Sequence, residues 1–95
     1  MKQLGWESII QLCMSIEDKA MLEQFFDLLF TAEEKESINT RFLIIVALLK
    51  QEMSQREIAK TLGVSIAKIT RGSNELKRVS GKLKKLLVPE CLKTD

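Results

Sequence analysis

The sequence predicts an all-α fold on three observations. Apolar residues recur at helical spacing in every long segment, a side chain able to cap a helix precedes most of these segments, and only four Gly and one Pro interrupt 95 residues. A length of 95 residues with 45% hydrophobic and 29% charged residues belongs to a single globular domain, here taken as residues 1–95. A chain this short buries only about two-thirds of its unfolded surface, so this apolar content points to burial against a second copy.

Each element can be justified in order. Trp6, Ile9, Ile10, Cys13 and Met14 share one face of a first helix. Asp18 is placed to cap a second, in which Met21/Leu22, Phe25/Phe26 and Leu29/Phe30 repeat every four residues. Thr31-Ala-Glu-Glu34 has the form of a capping box and opens a third helix with an acidic first turn. Residues 42–49 of that helix are apolar on every side, which predicts the buried centre of the fold. Ser54-Gln-Arg-Glu57 is a second capping box, and the helix it opens stops at Gly63. Ser65 caps a fifth helix through Leu76. Ser80 caps a sixth with Leu83, Leu86 and Leu87 inward and Lys82, Lys84 and Lys85 outward; Pro89 is expected to end or kink it near Leu87. Trp6, Phe25, Phe26 and the methionines are expected in the core, and Cys13 and Cys91 as small buried hydrophobes.

Composition excludes much chemistry. Without His there is no His-based metal site and no Ser-His or Cys-His pair, and two Cys cannot close a zinc site, so neither an enzyme nor a metal cofactor is expected. The thiol count is not that of a secreted scaffold, and the longest apolar run, Phe42–Leu49, falls short of the ~20 residues a membrane helix needs. A cytoplasmic protein with no membrane partner is therefore expected. Charge is unevenly placed: residues 1–49 are net −4, residues 50–85 net +7 and residues 86–95 net −1. The basic stretch suggests a polyanion partner, with a solvated lysine face as the alternative.

The segment from about 55 to 78 fits a helix-turn-helix. Ala59 is small where a second helix must cross, Gly63 makes the turn, and Ile58, Leu62, Val64 and Ile69 form the wedge between helices. On pattern alone a purely structural hairpin stays open as an alternative. The turn Ile66-Ala-Lys-Ile-Thr-Arg71 favours nucleic acid, because it offers methyl-bearing and hydrogen-bonding side chains of the kind that meet base edges.

Glu52-Met-Ser-Gln-Arg-Glu57, Gly63 and Ile69-Thr-Arg-Gly-Ser-Asn74 resemble the Trp repressor family, and the resemblance extends without gaps from near Trp6 to the carboxyl terminus. It implies a six-helix, intertwined homodimer that represses transcription from a palindromic operator in double-stranded DNA, with L-tryptophan as corepressor. By the same resemblance Arg41 and Arg71 match the arginines that sandwich the indole, and the carbonyls of Leu28, Phe30 and Thr31 match those that receive the ligand's ammonium. Gly72 matches the residue that leaves room for the ring. Stacking of a guanidinium on an aromatic ring supports the arginine pair, and Arg41 is the only cation between Lys35 and Lys50. Its alternative is to snorkel to solvent. Glu75 departs from the family's small hydroxyl at that position, and its carboxylate has two options: the ligand's ammonium, or Arg71 one turn earlier. For DNA, Gln55, Arg56, Ile66, Ala67, Lys68, Thr70 and Lys77 match contact positions, with Lys68 replacing a hydroxyl residue. The amino-terminal arm is expected to be shortened. Two other functions remain open at this point: a regulator of the same fold with another ligand or none, and a helical protein-interaction module.

Overall fold

A computed structural model describes the backbone of residues 2–92 and the side chains of residues 4–88. Six helices follow one another: α1 (Lys2–Ser15), α2 (Lys19–Leu29), α3 (Ala32–Lys50), α4 (Gln55–Leu62), α5 (Ile66–Leu76) and α6 (Gly81–Leu92). Among the described residues there is no strand. The chain groups into two compact units, Met1–Lys35 and Glu36–Asp95.

The caps expected from the sequence form. Asp18 accepts from the Met21 N–H at 3.0 Å and starts α2. The Thr31 hydroxyl accepts from the Glu34 N–H at 3.1 Å while the Glu34 carboxylate accepts from the Thr31 N–H at 2.9 Å. Ser54 and Glu57 exchange the same pair of bonds at 3.2 and 2.8 Å. Ser65 and Ser80 accept from the N–H groups of Lys68 and Leu83 at 3.3 and 3.2 Å. Each bond satisfies a backbone donor that the first helical turn leaves without a partner.

Within the unit Met1–Lys35, Phe26 sits between Phe25 and Phe30, with ring centroids 6.1 and 5.9 Å away and an edge-on approach to Phe30. Lys35 pairs with Asp27. Among the described residues of this unit none is buried. The expectation of a core role is therefore corrected for the single chain: Trp6 is 59% exposed and Met14 76%, while Phe25, Phe26 and Cys13 are half-buried. Two short helices present too little area to shield both their own apolar faces.

Within Glu36–Asp95 a small core forms where Ile44 of α3 meets Ile58, Ala59 and Ile69 of the α4–α5 hairpin, flanked by Ala47, Leu48, Leu62 and Val64. The prediction of an all-round buried α3 holds only in part. Ile44, against the hairpin, and Val46, about 200° around the helix from it, are buried, whereas Phe42 and Leu43 remain about two-fifths exposed. In α6, Leu83 and Leu86 are exposed rather than inward, with Leu87 half-buried. Pro89 does not end α6, which continues to Leu92; near a helix end the missing Pro N–H removes only one bond from the ladder. The side chain of Cys91 lies outside the described residues.

Candidate functional site

The hairpin is built locally. Gly63 takes φ 68, the left-handed conformation that a Cβ would strain, and its N–H closes α4 on the Ala59 carbonyl. Ser65 restarts the chain as α5 two residues later. Ile58 and Ile69 are fully buried across the turn, so hydrophobic packing holds the two axes together.

That wedge determines what faces out. With Ile69 buried, its neighbours Ile66, Ala67, Lys68 and Thr70 all lie on the surface of α5's first turns. Gln55 and Arg56 are exposed at the start of α4. Arg56 makes no ion pair among the described residues, and neighbouring Glu57 is engaged by Ser54 instead. Lys77 is exposed at the end of α5, with its Nζ 3.4 Å from the Asn74 Oδ1. All seven positions matched to DNA contacts are thus presented to solvent, and four are concentrated at the amino end of one helix.

Behind this face lies an open cleft of about 510 Å³ between α3 and α5. Such a volume suits a small aromatic ligand. Arg41, with Ser37 and Thr40 beside it, lies on the α3 wall; Lys68, Arg71, Gly72 and Glu75 lie on the α5 wall; Gly63 and Val64 close one end. Spacings of three, four and seven residues place the α5 group on one face. Gly72 suits this close approach: a Cβ there would stand 3.1 Å from Cγ2 of Ile44, which would have to give by a few tenths of an ångström, and 3.5 Å from Cδ1 of Leu48, an ordinary contact. A second hollow, about 680 Å³, is lined among the described residues by residues of α1 between 4 and 12 and is open surface.

Four of the seven residues matched to ligand contacts therefore meet in one cleft: Arg41, Arg71, Gly72 and Glu75. Leu28, Phe30 and Thr31 belong to the other compact unit, Met1–Lys35. Glu75 does not pair with Arg71. Its carboxylate stands 4.0 Å from Arg78 instead, and both side chains are more than half exposed. Sequence reasoning missed Glu36, Ser37 and Thr40, and assigned Lys68 to DNA alone. A helical wheel centred on Arg41 finds Ser37, four residues before it, Thr40 lies three and four residues after Ser37 and Glu36, and a wheel centred on Arg71 finds Lys68.

The model of the Trp repressor protein family matches residues 4–90. The chain belongs to the Trp repressor family. A Trp operon repressor homolog of Chlamydia caviae is 48% identical over 83 residues, covering 87% of this chain and 82% of that protein. Homologs from Chlamydia trachomatis serovar D, 40% identical over 94% of this chain and 95% of the other, and from Vibrio campbellii, 48% identical over 86% of each, agree. Membership makes the chain a tryptophan-responsive transcriptional repressor with a helix-turn-helix, and not an enzyme. Among the described residues no group of side chains could hold a metal, and no helix is long and apolar enough to cross a membrane.

Proposed function

We propose that two copies of this chain form one DNA-reading unit in the cytoplasm, and that L-tryptophan bound in the α3–α5 cleft switches it on. The observation that carries this reading is the position of the two guanidiniums, Arg41 on α3 and Arg71 on the helix that also bears the recognition turn. An indole between them stacks on planar cations, and its carboxylate has a charged donor on either wall. A bound ligand thereby ties the recognition helix to α3. Gly72 keeps the α3–α5 approach close, and Glu75 accepts from the ligand's ammonium. The carbonyls of Leu28, Phe30 and Thr31 remain assigned to that ammonium through the family resemblance alone.

In a two-fold dimer the ligand selects the head position in which the two α5 helices are spaced for successive major grooves of a palindromic operator, a docking geometry for which the Trp repressor is itself a known case. Ile66, Ala67, Lys68 and Thr70 then meet base edges, Arg56 offers a fork to guanine, Gln55 hydrogen-bonds beside it, and Lys77 meets a phosphate. Linkage requires that L-tryptophan tighten operator binding by the factor by which operator tightens L-tryptophan binding.

The test begins with selection of DNA from a random library with and without L-tryptophan, followed by fluorescence anisotropy of the selected duplex across a tryptophan titration. Wild-type protein is expected to bind more tightly as the ligand is added, and Arg71→Ala to lose that dependence while keeping its helical circular dichroism. Equal binding at all ligand concentrations would remove L-tryptophan from the reading.

A further inference from the structure

The α5 wall of the cleft carries a sequence of charges. Lys68 and Arg71 come first, Gly72 touches Ile44 at the floor, and Glu75 follows one turn beyond Arg71. Seven residues of helix separate Lys68 from Glu75, about 10 Å along the axis. A cleft that recognised only a carboxylate would need no anion in this row. The one ion pair of Glu75 among the described contacts is at the 4.0 Å limit, to an Arg78 side chain that is 81% exposed. A pair so exposed is heavily screened and leaves the carboxylate free to exchange partners. Arg71, with no carboxylate in ion-pair range among the described residues, stays available to stack on a ring.

We propose that Glu75 makes the ligand's ammonium a primary recognition handle, so that this cleft takes aromatic alkylamines as a class, including those that lack a carboxylate. The proposal rests on the cleft being the corepressor site. The ring stacks against the guanidiniums of Arg41 and Arg71, and a two-carbon arm is long enough to carry an ammonium toward the next turn of α5, where Glu75 stands. Opposite charges in contact in a partly enclosed cleft attract more strongly than in bulk water. The three cations Arg41, Lys68 and Arg71 oppose a cationic ligand, and Glu36 on the other wall offsets part of that opposition. Tryptamine is therefore expected to bind more weakly than L-tryptophan but through the same carboxylate.

The experiment is isothermal titration of the wild-type protein, Glu75→Gln, Glu75→Asp and Glu36→Gln with L-tryptophan, tryptamine and indole-3-propionate. Wild type is expected to bind tryptamine in competition with L-tryptophan. Glu75→Gln should weaken tryptamine tenfold or more and leave indole-3-propionate unchanged or tighter, while Glu75→Asp should retain part of the amine affinity. Thermal melts check that the exposed substitution leaves the fold intact. Equal weakening of all three ligands by Glu75→Gln, no wild-type binding of tryptamine, or the selective loss appearing in Glu36→Gln instead would each overturn the proposal. Absence of wild-type binding to L-tryptophan with tryptamine still bound through Glu75 would sink the corepressor reading and leave the amine site standing.

Discussion

Glu57 shows how one exposed side chain can make stability depend on pH. The Ser54 backbone N–H, and then its hydroxyl, hydrogen-bond the carboxylate and hold its pKa below the ordinary 4.5. A carboxyl whose folded pKa is depressed contributes stability that is fully present above the unfolded value and is lost as pH falls through the folded one. Urea midpoints measured from pH 7 down to pH 3 should therefore fall below about pH 4.5, and Glu57→Gln, which keeps an acceptor but not the charge, should fall less steeply. Gln51 makes a different point. Its φ of 55 is the only positive value at a non-glycine among the described residues, and it sits where the chain leaves α3 for α4. A left-handed non-glycine residue costs about 1–2 kcal/mol, and glycine loses up to about 1 kcal/mol more chain entropy on folding. Gln51→Gly should therefore stabilise by about 0.5–1 kcal/mol, read as a higher urea midpoint at unchanged slope.

At the scale of elements, helix starts were legible because a cap and its partner lie within four residues; Asp18, Thr31, Ser54, Ser65 and Ser80 all cap as their sequence neighbours indicate. The α4–α5 hairpin was legible for a similar reason, since Ile58, Gly63 and Ile69 specify a turn over a dozen residues. What α6 does with Leu83 and Leu86 was not, because an apolar stripe states that a face seeks cover and not what covers it. On the proposed function the hairpin carries two kinds of contact. If Lys77 meets a phosphate, its replacement by alanine should flatten the salt dependence of operator binding, by a slope of about 0.9 per phosphate for each chain. Arg56→Ala should instead cost about 1–3 kcal/mol on the selected sequence and much less on random DNA. Anisotropy titrations at several salt concentrations distinguish the two; an unchanged slope assigns Lys77 to solvent.

At the scale of the molecule, the five buried apolar residues of the described chain, Ile44, Val46, Ile58, Ala59 and Ile69, all lie in Glu36–Asp95. The first unit has helices, caps and aromatic contacts but no buried residue, while Leu4, Trp6, Ile10, Met14 and Leu28 are each at least 45% exposed. Apolar surface of that extent marks an interaction face. A second copy is the occupant that this reading assigns. Sedimentation equilibrium at micromolar concentration should return twice the 10.9 kDa chain mass. Dilution to monomer should shift the Trp6 emission to longer wavelength as that ring meets water. A monomer at those concentrations would remove the two-half-site model.

The sequence by itself determined what is local: helix type, helix starts, the glycine turn, and the residue types at the reading face. It also brought Arg41, Arg71, Gly72 and Glu75 forward as one site, through motif strings that resemble a family. Only the tertiary structure decided that Glu75 turns to Arg78 rather than Arg71, that Lys68 lines the cleft as well as the recognition turn, and that Gly72 serves the approach of α5 to Ile44. The division has a physical cause. Caps and helical faces depend on residues within seven positions of each other, whereas the distance across a cleft depends on how two helices some thirty residues apart in the chain come to rest on a shared core.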